Sequence, residues 1–394
     1  MQFPGKTSRQ AILAIHSQTW FGPANLEGTS LMKRILAVAG PVLGLALGLA
    51  ACGNPAPPAA TPEAPVAPAE EAPAPAGAAG TINVYSARHY DSDKAMYAAF
   101  EAETGIRVNV RESGAPELLE TMRAEGERSP ADVIIASDAG ALYRFQDAGF
   151  TQGVTSDKLS AVIPETLREK DGNWFGLAKR ARIIVYDPQV VSADEVDTYA
   201  DLADARLKGE VCVRSSTNIY NLSLMGEIIG RSGAEAAAAW AEGVVANMAR
   251  DPQGGDTAQI DAVAAGECAV ALVNHYYWVR LAAGSPEDRL KTNRTQLSFP
   301  DQEGNGTHVN VTAAAVAAHS KSPELAIQFI EYLATPHGQE LLTAETKEFP
   351  VVSGAAVPAG LEQIPGFKES DFPLSELGTH QPEAQAIFDR AGWN

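Results

Sequence analysis

The chain has 394 residues, a formal net charge of -19 at pH 7 and an isoelectric point of about 4.8. This acidic balance excludes the basic stripe that a nucleic-acid-binding surface needs, and it suits a cationic ligand or simply a soluble acidic surface. With 45% hydrophobic residues, the chain is long and apolar enough to form two domains with substantial cores.

The beginning of the chain has the features of an export signal. From Met32 the sequence MKRILAVAGPVLGLALGLAAC has two basic residues followed by an apolar run that is too short for an ordinary membrane-spanning helix. It predicts a secretory signal peptide over 32–51. The stretch LAAC, which ends at Cys52, resembles the lipobox of bacterial lipoproteins, in which the cysteine is diacylated and becomes the new N-terminus. The alternative is an ordinary signal peptide that ends near a cysteine by chance.

The segments on either side of this signal have no pattern of a folded domain. Residues 1–31 lack signal character, and we interpret them as an extension upstream of the true start at Met32. Residues 52–80 are rich in Pro and Ala, a composition that cannot bury a core and behaves as an extended, semi-rigid tether. We therefore expect a periplasmic protein whose membrane contact is made through the lipid on Cys52.

From Thr81 on, short β-branched runs alternate with helical patterns. Strands are predicted at 82–86, 106–110, 132–136, 182–186, 210–214, 268–273 and 309–312. Helices are predicted at 91–104, 115–125, 139–148, 218–230, 234–249, 256–265, 276–283, 322–334 and 336–344. The alternation indicates a mostly parallel α/β sheet. Because roughly 314 residues are too many for one such sheet with so few strands, we expect two α/β lobes.

Tyrosines follow three of these strands, at the turns where a helix begins. Tyr90, preceded by His89, follows the run INVYS; Tyr220 follows EVCVR; and the adjacent Tyr276 and Tyr277 follow CAVALV. Ligands of open α/β sheets bind beyond the carboxyl ends of the strands, and at such a turn two neighbouring side chains can face one point. A pair of packed core aromatics is the alternative for Tyr276 and Tyr277, but three tyrosine-bearing turns favour a binding site.

Several phenols and an imidazole would form a hard, oxygen-rich set of donors. Tyr has an unperturbed pKa near 10, so phenolates at neutral pH need a highly charged cation, helped by helix N-termini, to stabilise them. Soft Cu(I) would need Cys and Met, and structural Zn would need Cys and His, but the sequence has no C-x-x-C pair. Ca or Mg would need a carboxylate-dense loop. Ferric iron is the remaining good match.

Six stretches of the chain share the pattern of one protein family. They are VYSARHYDSD, DVIIASDAGALYRFQDAGF, AKRARIIVYDP, VCVRSSTNIYN, GECAVALVNHYYW and HVNVTAAAVAAHSKSPELAIQFIEYLATPHGQ. Together they span nearly all of residues 81–350, and they resemble the ferric-iron-binding lipoproteins of bacterial iron ABC importers, in particular the cyanobacterial-type branch. The resemblance implies that Tyr90, Tyr220, Tyr276 and Tyr277 ligate Fe(III), and that His89 is a fifth ligand or a close neighbour.

We therefore expect an α/β fold of the periplasmic-binding-protein type II, with two lobes, a hinge and a central cleft that holds the iron. The predicted boundaries are crossing strands near 178–186 and 306–312, a first lobe of 81–178 plus 312–350, and a second lobe of 186–305 plus 351–394. Closure of the lobes would complete the iron shell. The expected partner is an iron ABC permease in the inner membrane, and the protein is expected to be a monomer.

Arginines are expected beside the iron because four phenolates on Fe(III) leave a local charge of about -1. Arg180 is the strongest candidate, since the family places an arginine in this crossing strand. Arg214 and Arg280 are further candidates, and ordinary surface arginines are the alternative for both.

The remaining histidines and Tyr186 are not assigned to the iron. His275, next to the tyrosine pair, is interpreted as a polar residue at the lip of the cleft. His308, His319 and His337 are interpreted as surface or loop residues. Tyr186 alternates with buried residues of a strand and is assigned to the hinge or the core.

Cys212 and Cys268 are predicted to form a disulfide. Each lies eight residues before a tyrosine of the predicted site, so both are expected at similar depth in strands that end at the same cleft. If these strands are neighbours, the separation falls within disulfide range. Two buried free thiols are the alternative.

Two other functions remain in competition with iron binding. A binding protein for another solute on the same fold, such as a sugar or an organic anion, would stack its ligand on Trp, and of the five Trp only Trp278 lies near the cleft turns. An enzyme would need a catalytic motif, and the sequence has no H-E-x-x-H, G-x-S-x-G, P-loop or paired-carboxylate motif. The sequence leaves open whether the bound ion is Fe(III) or Fe(II), and whether water or carbonate completes its shell.

Overall fold

The computed structural model describes residues 79–88 and 90–394, which belong to one unit, Glu71–Asn394. The predicted signal peptide, Cys52, most of the tether and His89 lie outside the described residues. Among the residues that are described, no helix combines the length and the apolar character needed to cross a membrane.

The described chain alternates strands and helices, as the sequence indicates. The strands are β1 Gly80–Ser86, β2 Ile106–Glu112, β3 Val133–Ala136, β4 Phe175–Tyr186, β5 Val211–Cys212, β6 Val270–Asn274, β7 Gln296–Ser298, β8 Val309–Val316 and β9 Phe349–Pro350. The helices are α1 Asp93–Thr104, α2 Ala115–Glu125, α3 Ala139–Asp147, α4 Asp157–Val162, α5 Ile219–Asn247, α6 Asp256–Ala265, α7 His275–Ala282, α8 Pro286–Arg294, α9 Pro323–Leu333, α10 Pro336–Thr343 and α11 Gln381–Ala391.

The sheet is mixed, with the strand order β2-β1-β3-β8-β4-β6-β5, and β7 and β9 also pair with β4. The pairs β1–β2, β1–β3 and β5–β6 are parallel, whereas every pairing of β4 or β8 is antiparallel. The prediction of a mostly parallel sheet is therefore wrong. Its physical cause is that the chain leaves the first set of strands along β4 and returns along β8, so these two strands run side by side in opposite directions.

Strand β4 changes neighbours in the middle of its length. Its first part, up to Ala181, pairs with β8, and Ala181 lies opposite Val309. Its second part pairs with β6, beginning with Arg182 opposite Asn274. One continuous strand thus connects the parallel strands of β1 and β3 with those of β5 and β6, and the tyrosine-bearing turns lie on both sides of it.

Within the described part of the chain, three clusters of buried apolar residues stabilise the fold. The first includes Ile82 of β1, Phe100 of α1 and Phe329 of α9. The second includes Leu222 of α5 and Trp393. The third lies between β4, β6 and α6, on the side of the sheet where the two cysteines meet.

The segment after residue 350 contacts two of these clusters. Leu374 and Leu377 pack in the first cluster, whereas Ala384 and Phe388 of α11 pack in the second. The predicted lobe boundaries stay a prediction. The segment after residue 350 packs against the apolar cores of both the β1–β3 and the β5–β6 strands.

Cys212 and Cys268 are joined by a disulfide, with their Cα atoms 6.0 Å apart. The two residues are not at equal depth, however, because Cys212 lies opposite Ala271 in the β5–β6 pair. Cys268 comes before β6, where the N–H groups of Ala269 and Val270 both donate to the Glu210 carbonyl. This local bulge brings Cys268 within reach of its partner.

Candidate metal centre

The tyrosines implied by the sequence lie at the ends of strands or in the first turn of a helix. Tyr90 lies in the connection between β1 and α1, and Tyr276 and Tyr277 follow β6 in the first turn of α7. Tyr220 is the second residue of α5, whose N-cap Asn218 accepts a hydrogen bond from the Tyr220 N–H at 3.1 Å. The turns follow β1, β5 and β6, which lie on either side of β4 in the sheet, and they occupy the strand ends where ligands of open α/β sheets bind.

The phenols of Tyr220, Tyr276 and Tyr277 converge. The Tyr276 hydroxyl donates to the Tyr220 hydroxyl at an O–O distance of 3.3 Å, and Asn274 donates its amide to the same Tyr276 oxygen at 3.3 Å. The rings of Tyr276 and Tyr277 lie 4.5 Å apart between centroids. Two turns that are 56 positions apart in sequence therefore present their hydroxyl groups to one place.

Tyr90 joins this group through one shared arginine, Arg280. The Arg280 guanidinium lies 5.8 Å from the ring centroid of Tyr90, 5.0 Å from that of Tyr276 and 4.6 Å from that of Tyr277. One cation thus contacts rings from two different turns. His89 lies outside the described residues, so its implied role as a ligand stays a prediction.

The electrostatics of the phenols favour their neutral form in the protein without metal. Burial raises the pKa of Tyr276 well above its ordinary value, and negative charge on Tyr220, Tyr90 or Tyr277 would raise it further. Burial, followed by the effect of Tyr220, also raises the pKa of Tyr277. Burial, Glu348 and Tyr220 raise the pKa of Tyr90. Only a ligand of high positive charge would make several of these groups ionise together.

The three arginines predicted beside the site all lie near phenol rings. Arg180 is buried and its guanidinium lies 5.6 Å from the Tyr220 ring centroid, and Arg214 lies at the same distance from that ring. Arg280 contacts the tyrosine pair, as described above. The structure places all three where they can offset negative charge on phenolates.

Sequence reasoning missed two further arginines of the same kind. Arg88, which is buried, lies 4.9 Å from the Tyr90 ring centroid, and Arg182 lies 6.0 Å from that of Tyr220. A signal for Arg182 was present, since it follows Arg180 by two positions and so shares its face of the strand. Arg88 stands next to the His89–Tyr90 pair, and its role depends on tertiary contacts that the sequence alone does not show.

Two buried carboxylates pair with four of these five arginines. Glu348 pairs with Arg180 at 2.8 Å and with Arg88 at 3.2 Å, and Asp256 pairs with Arg182 at 2.8 Å and with Arg214 at 3.0 Å. Burial opposes the ionisation of Glu348, but Arg180 and Arg88 lower its pKa below the ordinary value. Both carboxylates are therefore engaged with guanidinium groups.

The donor chemistry of the site comes from phenols. Across residues 79–88 and 90–394, no group of three or more His, Cys, Asp or Glu side chains could hold a metal ion. A cavity of about 390 Å³ is lined by Asp138 of the first set of elements and by Arg214 and Asn218 of the second. None of the four tyrosines lines this cavity, but Asn218 caps the helix that carries Tyr220.

His275 is not a residue at the lip of the cleft, so that interpretation is wrong. Its side chain is fully buried, the Ala181 N–H donates to Nδ1 at 3.1 Å, and Nε2 donates to the Lys347 carbonyl at 3.1 Å. Burial lowers the pKa of His275 to about 3, so the ring is neutral. Both nitrogens are occupied, and the ring has no free lone pair for a metal.

The prediction that His308 is a surface or loop residue is also wrong. It is 2% exposed, and its Nδ1 lies 2.5 Å from the Glu227 carboxylate. His308 precedes β8 directly, and this connection runs through the interior rather than over the surface. His319 is half-buried and His337 is exposed, in agreement with their predicted loop or surface positions.

Comparison with known proteins gives consistent matches over the described chain. The family model described as bacterial extracellular solute-binding protein matches residues 95–369. Iron uptake protein A1 of Synechocystis sp. is 40% identical over 367 residues, which are 92% of this chain and 99% of that protein. The major ferric iron-binding protein of Neisseria meningitidis serogroup B is 28% identical over 316 residues, 79% of this chain and 92% of that protein.

A solved structure resembles the chain in both fold and sequence. The Trichodesmium protein IdiA, or FutA, determined in complex with iron and citrate ligands, has a TM-score of 0.76 and 43% sequence identity. The match covers 80% of this chain and 100% of that chain.

Proposed function

Because the chain belongs to the family of bacterial extracellular solute-binding proteins, we propose that it binds Fe(III) in its cleft and carries it to an importer. Its fold is the periplasmic-binding-protein type II fold, with two α/β lobes about a central cleft, as predicted. Its relatives are named as iron uptake and ferric iron-binding proteins, and the structural neighbour was solved with iron.

The convergence of phenols carries this proposal. Tyr220 and Tyr276 bring their hydroxyl oxygens within 3.3 Å of each other, next to the ring of Tyr277. Two oxygens at this distance can both contact one ion, and Fe(III) is a hard cation that stabilises phenolate. Tyr90 would supply the fourth phenolate, and His89 would be a fifth ligand or a close neighbour.

The arginines give the loaded site its charge balance. Four phenolates on Fe(III) carry a charge of about -1, and Arg180, Arg214 and Arg280 lie beside the rings that would bear it. The site therefore needs no additional bulky anion to neutralise the charge of Fe(III). Water or carbonate would complete the coordination sphere.

The transport cycle follows from the two lobes. With the lobes apart, the Tyr90 turn and the tyrosine-pair turn would be separated, and closure would bring them together around the ion. A permease of the ABC type in the inner membrane would recognise the closed form and take the iron. We place the protein in the periplasm as a monomer, tethered by a lipid on Cys52, and we assign it no enzymatic activity.

One contact weighs against a sugar as the ligand. Trp278, the tryptophan next to the tyrosine pair, donates its indole N–H to the Thr295 hydroxyl at 3.0 Å and packs against the third apolar cluster. It is thus engaged in the fold rather than offered as a stacking platform.

The decisive experiment is metal analysis with a visible spectrum of protein purified without chelator. We expect about one iron per chain and a broad visible band from charge transfer between phenolate and Fe(III). Colourless protein that takes up no iron when Fe(III) is supplied as a weak chelate would contradict the proposal.

A further inference from the structure

His275 joins three separate segments of the chain through one ring. It is the first residue of α7, directly before the tyrosine pair. Its Nδ1 accepts from the Ala181 N–H at 3.1 Å, so the ring hydrogen lies on Nε2, which donates to the Lys347 carbonyl at 3.1 Å. Both partners are backbone groups, which fixes the orientation of the ring.

Ala181 is the point at which β4 changes neighbours. The N–H of the next residue, Arg182, donates to the His308 carbonyl on the β8 side. The Ala181 N–H therefore points to the opposite edge of β4, since successive residues of a strand alternate sides. On that edge the pairing with β9 involves Ala178 and Lys179, and the pairing with β6 begins at Arg182. His275 fills the gap and accepts the hydrogen bond that no strand accepts there.

The segment on the other side of the ring has an unusual backbone. Lys347 has φ of 62°, a left-handed conformation that is uncommon for a residue with a Cβ. Its carbonyl accepts from His275, and Phe349 stacks on the His275 ring with centroids 4.3 Å apart and planes 17° apart. His275 therefore contacts this segment both by a hydrogen bond and by a ring face.

Glu348 lies in sequence between Lys347 and Phe349, the two residues that His275 contacts. Its carboxylate pairs with Arg88 and Arg180, whose guanidinium groups lie over the rings of Tyr90 and Tyr220. His275 thus connects the turn of the tyrosine pair to Lys347 and Phe349, which flank Glu348 in sequence. The Glu348 carboxylate in turn pairs with two arginines of the site.

We propose that His275 is a positioning residue of the iron site. Its ring sets the place of Tyr276 and Tyr277 relative to β4 and to the segment 347–349, and so relative to Tyr90 when the lobes close. This inference rests on the proposed tyrosine site. Without both hydrogen bonds the tyrosine-pair turn can shift, and iron is then held in a less favourable geometry and dissociates faster.

The test compares three variants with the wild type. His275→Phe keeps a flat ring that can stack on Phe349 but removes both hydrogen bonds. His275→Asn supplies an amide oxygen that can accept from the Ala181 N–H. Tyr186→Phe is the matched control, because Tyr186 lies in β4, like Ala181, and loses a partly buried hydrogen bond to Gln296 outside the tyrosine cluster. For each protein we would measure the rate of iron loss to excess citrate, the position of the visible band and the Tm without iron.

We expect His275→Phe to lose iron roughly tenfold to a hundredfold faster than the wild type, with a shifted band. His275→Asn should recover part of the difference. Tyr186→Phe should lower the Tm while the rate and the band stay as in the wild type.

A coloured wild type whose His275→Phe variant keeps the same rate and band, and differs in Tm alone, would overturn the inference and leave the tyrosine site standing. If His275→Phe does not fold, His275→Asn decides: faster iron loss with a shifted band supports the inference, and wild-type behaviour overturns it. A colourless wild type that binds no iron would overturn the tyrosine site, and the inference with it.

Discussion

At the scale of single residues, the Tyr276 hydroxyl has two hydrogen-bond partners in the candidate site, since it donates to Tyr220 and accepts from Asn274. Tyr276→Phe keeps the ring and deletes one oxygen. We expect the visible band to bleach or shift and iron retention to fall at least about tenfold, because a ligand is lost. Circular dichroism should show an intact fold.

Tyr220→Phe should behave in the same way, and Tyr186→Phe, which lies outside the cluster, should keep full colour. If the Tyr276 and Tyr220 variants both retain the colour and affinity of the wild type, the assignment of these phenols as ligands is wrong.

Glu227 provides a prediction on stability and pH. Burial opposes its ionisation, but hydrogen bonds from His308, Ser370 and Arg231 lower its pKa to about 2. Because the folded pKa lies below the unfolded value, the stabilisation is present above about pH 5 and is lost as the pH falls towards 2. It amounts to about 3 kcal/mol at most.

Denaturant unfolding of Glu227→Gln should show this as a pH-dependent difference. The variant should have a lower free energy of unfolding than the wild type at pH 7, and this difference should become smaller as the pH falls from 5 to 2. Glu324→Gln, at an exposed position, is the control and should follow the wild type. A difference in the free energy of unfolding that stays constant over this pH range would contradict the role given to Glu227.

The sequence predicts the tyrosines of the candidate site better than the residues that surround them. Tyr90, Tyr220 and the tyrosine pair could be found because each follows a strand, and strand ends are where ligands of this fold bind. The misassigned residues are buried polar groups: His275 and His308 look like surface residues until their partners are known. Those partners are backbone atoms or lie far away in sequence, so the local sequence pattern does not reveal them.

At the scale of helices and strands, prediction follows hydrophobic pattern. The helices α1, α2, α3, α9 and α10 are predicted to within about two residues because each has an apolar face. Among the helices of the described residues, the sequence prediction lacks α4, α8 and α11. Helix α8 has the sequence PEDRLKTNR, with almost no apolar residue, and its capping box at Ser285 was the signal that could have identified it.

Helix α5 shows how a break can be read from a glycine. Two helices were predicted, at 218–230 and 234–249, and the structure has one element, Ile219–Asn247, with a non-helical Gly233 at φ 81° and ψ 163°. The prediction placed the interruption correctly, since glycine adopts this conformation without the penalty that a Cβ brings.

The disulfide between β5 and the residue before β6 gives a prediction at this scale. It closes a loop of 56 positions that carries the Tyr220 turn and ends before the tyrosine pair. Reduction should lower the free energy of unfolding by up to about 4 kcal/mol, because the unfolded chain regains loop entropy. Denaturant unfolding with and without reductant measures this, with the Cys212→Ala, Cys268→Ala double variant as the control that should not respond to reductant.

Thiol titration of the denatured, unreduced protein checks the bond itself. Apart from Cys52, we expect no reactive thiol per chain. Two reactive thiols from Cys212 and Cys268 would rule the disulfide out in the isolated protein.

At the scale of the whole molecule, iron binding is coupled to protons. Burial raises the pKa of Tyr90, Tyr276 and Tyr277, so these phenols are protonated without metal, and each ligating phenol releases its proton when iron binds. Acid therefore competes with iron. We expect the visible band to fade as the pH drops, well before the fold is lost, and at a higher pH when citrate is present.

This is measured by following the visible band and the far-ultraviolet circular dichroism in one acid titration. Two transitions should be seen, with the loss of colour first. Colour that persists until the protein unfolds would show that phenols do not hold the metal.

Strand β4 has a consequence for how such a protein can change over evolutionary time. Many two-domain proteins exchange halves because a linker marks a natural border between modules. Here the border runs through the middle of one hydrogen-bonded strand, between Ala181 and Arg182. A genetic fusion at that position would leave an unpaired strand edge on each product, a template for aggregation. We therefore expect an exchange of one half between related proteins to succeed only where the pairing of β4 with both β8 and β6 is kept.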